Sequence, residues 1–124
     1  MIKIDIKEML NQVPVVKEEE GQLLLANLNT QMIKLFQEKE IAIYYSLVED
    51  VLKVAKHLNL DTVIKYFGIT PVVKANESMQ FQEIFRCLHT KERNNNWFLE
   101  FFSLYLGVSV IYGFKPEEIK RADS

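Results

Sequence analysis

The sequence predicts an all-α protein, a compact bundle of about five to six helices that could also assemble as a dimeric bundle. Three observations predict it. Two long stretches repeat apolar residues at i, i+3, i+4 and i+7, the spacing of one face of an α-helix. A third stretch, Trp97 to Tyr112, is apolar around nearly its whole circumference. Strand-like alternation is confined to Ile2–Ile6.

Taken in order, residues 1–18 read as an extended or irregular lead-in, with a turn of helix at Lys7–Asn11 interrupted by Pro14. The first long helix is expected from Glu19 to Lys39. Leu24, Leu25, Leu28, Met32, Leu35 and Phe36 fall on one side, and Asn27, Thr30, Lys34 and Gln37 on the other. Glutamates at its start suit the positive end of the helix dipole. The second helix, Ile41 to Asn59, has the clearest stripe: Tyr44, Leu47, Val48, Val51, Val54, Ala55 and Leu58. Asp61 is placed to cap a short helix, Thr62–Phe67, that Gly68 would end. A fourth helix is expected from a cap at Asn76 or Ser78 to about Thr90, with Met79, Ile84, Phe85 and Leu88 as its apolar residues. Lys91–Asn96 is a polar connection. Gly113 stops the aromatic helix, and Pro116-Glu117-Glu118 opens a last one.

The chain has 124 residues, 48% of them hydrophobic and 26% charged. That is the size and composition of one globular domain, so residues 1–124 are read as a single helical domain. The formal net charge of −2 provides no global positive field to gather nucleic acid or anionic lipid. The aromatic stretch is too short to span a bilayer core of about 30 Å, which argues against a membrane partner. No secretory signal is visible at the start of the sequence, and one cysteine, Cys87, forms no internal disulfide. Together these predict a cytoplasmic protein with a buried structural thiol. A helix apolar on all sides must be surrounded. Either the aromatic helix is central, or its far side packs on a second copy through Trp97, Phe101, Phe102 and Tyr105. A homodimer is the expected assembly.

Candidate chemistry is sparse. His57, His89 and Cys87 show no zinc spacing, and there is no nucleophile elbow or phosphate-binding glycine loop. Magnesium would need carboxylates converging from neighbouring helices. The candidate metal ligands are Asp50, on the flank of the second helix's apolar stripe, and Glu49 beside it. Glu49 is the more solvated. Glu83 and Glu100 are further carboxylates that could converge on them. Glu100 is the single charge of the aromatic helix and shares a stripe with Ser103 and Gly107. That stripe is either the helix's wet edge or a ligand-binding position. The segment Val63–Pro71 looks like the middle of a helix-turn-helix, with Gly68 at the turn and Pro71–Glu83 as the reading helix. Ile64 stands where a small residue is usual, Lys74 stands where the second helix normally buries an aliphatic, and that helix carries Glu77 and Glu83. Phosphate contacts need positive charge, so nucleic acid is not the expected partner.

The stretches Phe98–Gly107 and Tyr112–Ile119 resemble the last helices of the dimeric all-α dUTPases, which belong with the MazG-like nucleoside triphosphate pyrophosphatases. Leu24–Thr30 is similar in apolar pattern to that family's first metal-binding helix, and Leu47–Leu52 to its second. The resemblance spans residues 20 to 119. It implies a Mg²⁺-assisted attack of water on a nucleoside triphosphate, supported by a Glu-x-x-Glu pair on one helix and a Glu-x-x-Asp pair on the next. Here Asn27 and Thr30 stand at the first pair, and Leu47 stands opposite Asp50 in the second. Only Asp50 carries over, with Glu49 nearby. The resemblance therefore implies a degenerate pyrophosphatase homologue with weak or lost activity, a possible nucleotide partner, and Mg²⁺ only if activity persists. The alternative is a helical interaction or scaffold domain without enzymatic activity. A helix-turn-helix DNA-binding regulator is the third reading.

Overall fold

The computed structural model describes residues 10–13, 15–90 and 96–114. It is all-α, with no strand among the described residues. A helical turn at 10–12 precedes α1 (Glu18–Glu38), α2 (Ile41–His57), α3 (Asp61–Phe67), α4 (Glu77–Thr90) and α5 (Asn96–Tyr112). None of the described helices is long and apolar enough to cross a membrane. The expected helix after Pro116, most of the Lys7–Asn11 turn and most of the Lys91–Asn96 connection lie outside the described residues.

Helix ends follow local chemistry. Glu18, Glu19 and Glu20 fill the first turn of α1, where backbone N–H groups lack partners. Lys39 ends α1 in the left-handed region (φ 56°) and its N–H returns to the Leu35 carbonyl at 2.8 Å. Both α2 and α5 close with the same double bond pattern. Asn59 (φ 60°) donates to Lys56 O and Leu60 to Ala55 O. Gly113 (φ 70°) donates to Val110 O and Phe114 to Ser109 O. In each pair a left-handed residue turns the chain so that two terminal carbonyls are satisfied. At α3, Asp61 is the first helical residue and makes no cap; Leu60 precedes it with no side-chain cap bond. The start of α4 is fixed by Asn76, whose Oδ1 accepts the Met79 N–H at 2.9 Å.

The core is one contiguous cluster built around α5. Helices α1 and α2 form an antiparallel pair, α4 lies along α5, and α2 also packs on α5. Trp97 (7% exposed), Phe101 (0%), Phe102 (1%) and Tyr105 (0%) are all buried within the one chain. One copy therefore covers all four rings expected above as dimer contacts, which belong to its own core, while Val110 on the same helix stays exposed. Tyr44 on α2 and Tyr105 on α5 stack at 4.5 Å. Each hydroxyl donates to the other's backbone carbonyl, at 3.2 Å from Tyr44 and 2.5 Å from Tyr105. Burial pushes both phenols well above their ordinary range, so they remain neutral donors. On α4 the buried face is Gln80, Phe81, Ile84, Cys87 and Leu88. Met79, expected in the core, is exposed.

The crossing of α1 and α2 depends on Gly21. A Cβ there would lie 2.3 Å from His57 Nδ1, and that ring is itself buried. Gly21→Ala would gain about 1 kcal/mol of helix propensity, yet it must expel the imidazole from between the helices. The expected net result is a loss of about 1 kcal/mol, read as a lower melting temperature that a Gly21→Ala/His57→Ala double variant partly restores.

Candidate functional site

The residue that organises the surface beside α5 is Gln80. Between α3 and α4 the chain runs as a strap, residues 68–76, across α5. Gly68 (φ 75°) releases it from α3, and the Val72 N–H donates to the Ser103 carbonyl at 3.0 Å. The Gln80 side chain is fully buried beneath it. Its Nε2 donates to Val72 O at 2.8 Å and Leu104 O at 2.6 Å, and its Oε1 accepts the Lys74 N–H at 2.7 Å. One amide thus holds the strap from both ends of its dipole and joins it to α5 through Nε2, and all these bonds are internal. Gly107 completes the seat, because a Cβ there would meet Val72 O at 2.1 Å. The Glu100–Ser103–Gly107 stripe is therefore not solvent-facing along its length: Ser103 and Gly107 receive the strap's backbone, while Glu100 is exposed and paired with Arg86.

This arrangement corrects the helix-turn-helix expectation. Residues 71–76 are not helical, with a bend at 75–76, and α4 begins only at Glu77. The short turn that would set a second helix against α3 is replaced by the strap.

The carboxylates do not gather. Glu49 is exposed on α2 and Asp50 is half-buried. Burial raises the Asp50 carboxyl above its usual range, opposed by Lys53 and reinforced by Glu49. Glu83 and Glu100 are brought together, but around a cation. Arg86 Nε lies 2.5 Å from Glu83 Oε2 and its Nη2 lies 2.5 Å from Glu100 Oε1. The hydrogen bond from Arg86 holds the Glu83 carboxyl below its usual range. Burial, with the Glu100 charge nearby, pushes the Cys87 thiol up to about 11, so it is not a thiolate at neutral pH. Asn27 and Thr30, the positions the family resemblance gives to a first carboxylate pair, are exposed on α1. The recess between α1 and α2, about 220 Å³, is lined by Gln31, Lys34, Ala42, Ile43 and Ser46, and its one charge is a cation. Among the described residues, no three His, Cys, Asp or Glu side chains are placed to hold a metal ion.

Asp50 gives a pH prediction. Its folded pKa is raised, so the folded state retains the proton longer than the unfolded chain does. Its contribution is therefore most favourable at low pH and is lost as pH rises through its titration. Asp50→Asn should raise the melting temperature at pH 7. The gain should vanish below the ordinary carboxylate range of about 4, as thermal melts across pH would show.

The recess with apolar walls is elsewhere. The strap, the end of α3 and the start of α5 frame an open groove of about 380 Å³, lined by Val63, Gly68, Ile69, Thr70, Val72, Leu99 and Ser103. Val63, Tyr66, Val72 and Val73 add exposed apolar surface on α3 and the strap. In the sequence Val63, Gly68, Ile69 and Thr70 stood out only as part of a helix-turn-helix pattern and Ser103 only as a neighbour of Glu100; Val72 and Leu99 carried no signal of their own. Gln80 had one legible signal: it shares the i, i+4, i+7 face of Ile84 and Cys87, a polar residue on a core stripe. Comparison with known proteins adds nothing to this geometry: the chain matches no family model, no curated protein and no solved structure.

Proposed function

We propose that the protein is a helical protein–protein interaction domain without enzymatic activity, and that its recognition surface is the groove between α3, the strap and α5. The observation that carries this reading is the groove's construction. Its strap wall is fixed by buried hydrogen bonds from Gln80, while its lining is left apolar and open. Pre-formed apolar recesses with few polar groups are the usual form of a binding site. Of the four candidate carboxylates, by contrast, Glu83 and Glu100 are paired with Arg86 and Glu49 is exposed beside half-buried Asp50 on α2. A lone buried thiol suits the cytoplasm, where we place the protein.

Peptide display against the whole chain tests the reading. Enriched peptides should carry aliphatic or aromatic anchors and should lose about a hundredfold in affinity on Leu99→Asp or Val63→Asp. Binders indifferent to both substitutions, or no enrichment, would contradict it. The competing reading is a degenerate Mg²⁺-dependent nucleoside triphosphate pyrophosphatase homologue. It draws on the helical resemblance and on half-buried Asp50. It requires nucleotide binding that depends on Asp50 and Glu49.

A further inference from the structure

The outer face of α1 carries a heptad pattern that its own chain does not use. Glu19, Leu23, Ala26, Thr30, Ile33 and Gln37 follow alternating steps of four and three, the a/d spacing of a coiled-coil seam, and all are exposed. Leu23 is 60% and Ile33 40% exposed, on a helix whose buried side (Leu28, Met32, Leu35) already packs on the core.

We propose that this face pairs antiparallel with the same face of a second copy, about a two-fold axis at the level of Leu28. The seam is palindromic about that point. Antiparallel alignment sets Leu23 against Ile33 of the other copy, and Ala26 against Thr30. Large residues then meet large ones and small meet small, while at the ends the Glu19 carboxylate meets the Gln37 amide, an acceptor facing a donor. The flanking positions agree. Glu20, Asn27 and Lys34 share one edge of the seam and are all exposed. In an antiparallel pair this edge faces itself, so each Glu20 lies against the other copy's Lys34 and Asn27 faces Asn27. Parallel pairing would instead place the acidic first turns, Glu18–Glu20, side by side. Charge therefore selects the antiparallel arrangement. Isologous contact of this kind closes as a dimer and does not propagate. One helix pair is small against the usual interface of about 1,200–2,000 Å², so the dimer is expected to exchange with monomer at micromolar concentrations. No α1 residue lines the groove, and the pairing stands whether or not the interaction reading does.

Sedimentation equilibrium of the full chain is the test. A reversible monomer–dimer equilibrium is expected, and Leu23→Glu should weaken it by about a hundredfold or more while circular dichroism stays unchanged. Glu20→Lys or Lys34→Glu alone should each weaken self-association, because the edge then opposes like charges. Mixing the two variants should restore a heterodimer, in which both edge pairs are again opposite in sign. A monomer at every concentration would overturn the proposal. So would a dimer indifferent to Leu23→Glu, or single charge variants that the mixture does not rescue.

Discussion

Replacing Gly107 with alanine is expected to destabilise the protein by about 3 kcal/mol, although it adds a good helix former to a helix. Propensity alone favours the substitution by about 1 kcal/mol. Packing opposes it, because the new Cβ would stand 2.1 Å from Val72 O, 2.9 Å from Val72 C and 2.7 Å from Gln80 Nε2. Two of those atoms are backbone, and the third belongs to a side chain bonded at both ends of its amide. Relief requires the strap to lift. That breaks the Val72–Ser103 bond and both bonds from Gln80 Nε2. Steric strain and lost buried hydrogen bonds together outweigh propensity. A domain of this size loses about 3–5 °C per kcal/mol, so a fall of about 10 °C in Tm is expected. Calorimetry measures it, and a rise in Tm would show that the strap is not seated on α5.

Gln80→Leu should cost about 3–5 kcal/mol. Leucine fills nearly the same volume but leaves Val72 O, Leu104 O and the Lys74 N–H without their side-chain partner. Hydrogen exchange separates this from a general loss of stability. The Val72 and Lys74 amides should lose protection first, while α2 amides such as Val51 keep theirs until global unfolding. Because Gly107 and Gln80 both hold Val72, the double variant should lose less than the sum of the singles. Strict additivity would separate the two residues.

The helices were legible because their cause is local. In α2 the stripe from Tyr44 to Leu58 has one period and few interruptions, and Gly113 ends α5 through a backbone need that glycine meets without strain. Asn59 meets the same need, yet asparagine is common enough elsewhere that nothing singled it out. The boundary at α3 was misread by one residue, because Asp61 resembles a cap in composition while the chain enters the helix at Leu60. The strap was not legible. Gly68, Pro71 and the β-branched pair Val72-Val73 have no period, and Pro71 at a helix start is as familiar as Pro71 in an extended segment. What decided between them was the Asn76 cap together with Gln80, whose partners lie 6, 8 and 24 residues away. Tertiary bonds of that kind leave no pattern along the chain. For the same reason the Glu100–Ser103–Gly107 stripe looked like a wet edge: small residues on an apolar helix mark an approaching backbone as readily as solvent. The surplus apolarity of α5 was legible, but not what covers it, since rings such as Trp97 and Phe101 pack equally well on their own chain or on another.

Pyrophosphate release from nucleoside triphosphates in the presence of Mg²⁺ or Mn²⁺ is the measurement that bears most directly on the proposal of an interaction domain without enzymatic activity. No release above the uncatalysed rate is expected, and no nucleotide-induced thermal shift that depends on Asp50, because Asn27, Thr30 and Leu47 offer no carboxylate and Arg86 already engages Glu83 and Glu100. Metal-dependent release abolished by Asp50→Asn would contradict it and place a nucleotide site on α2.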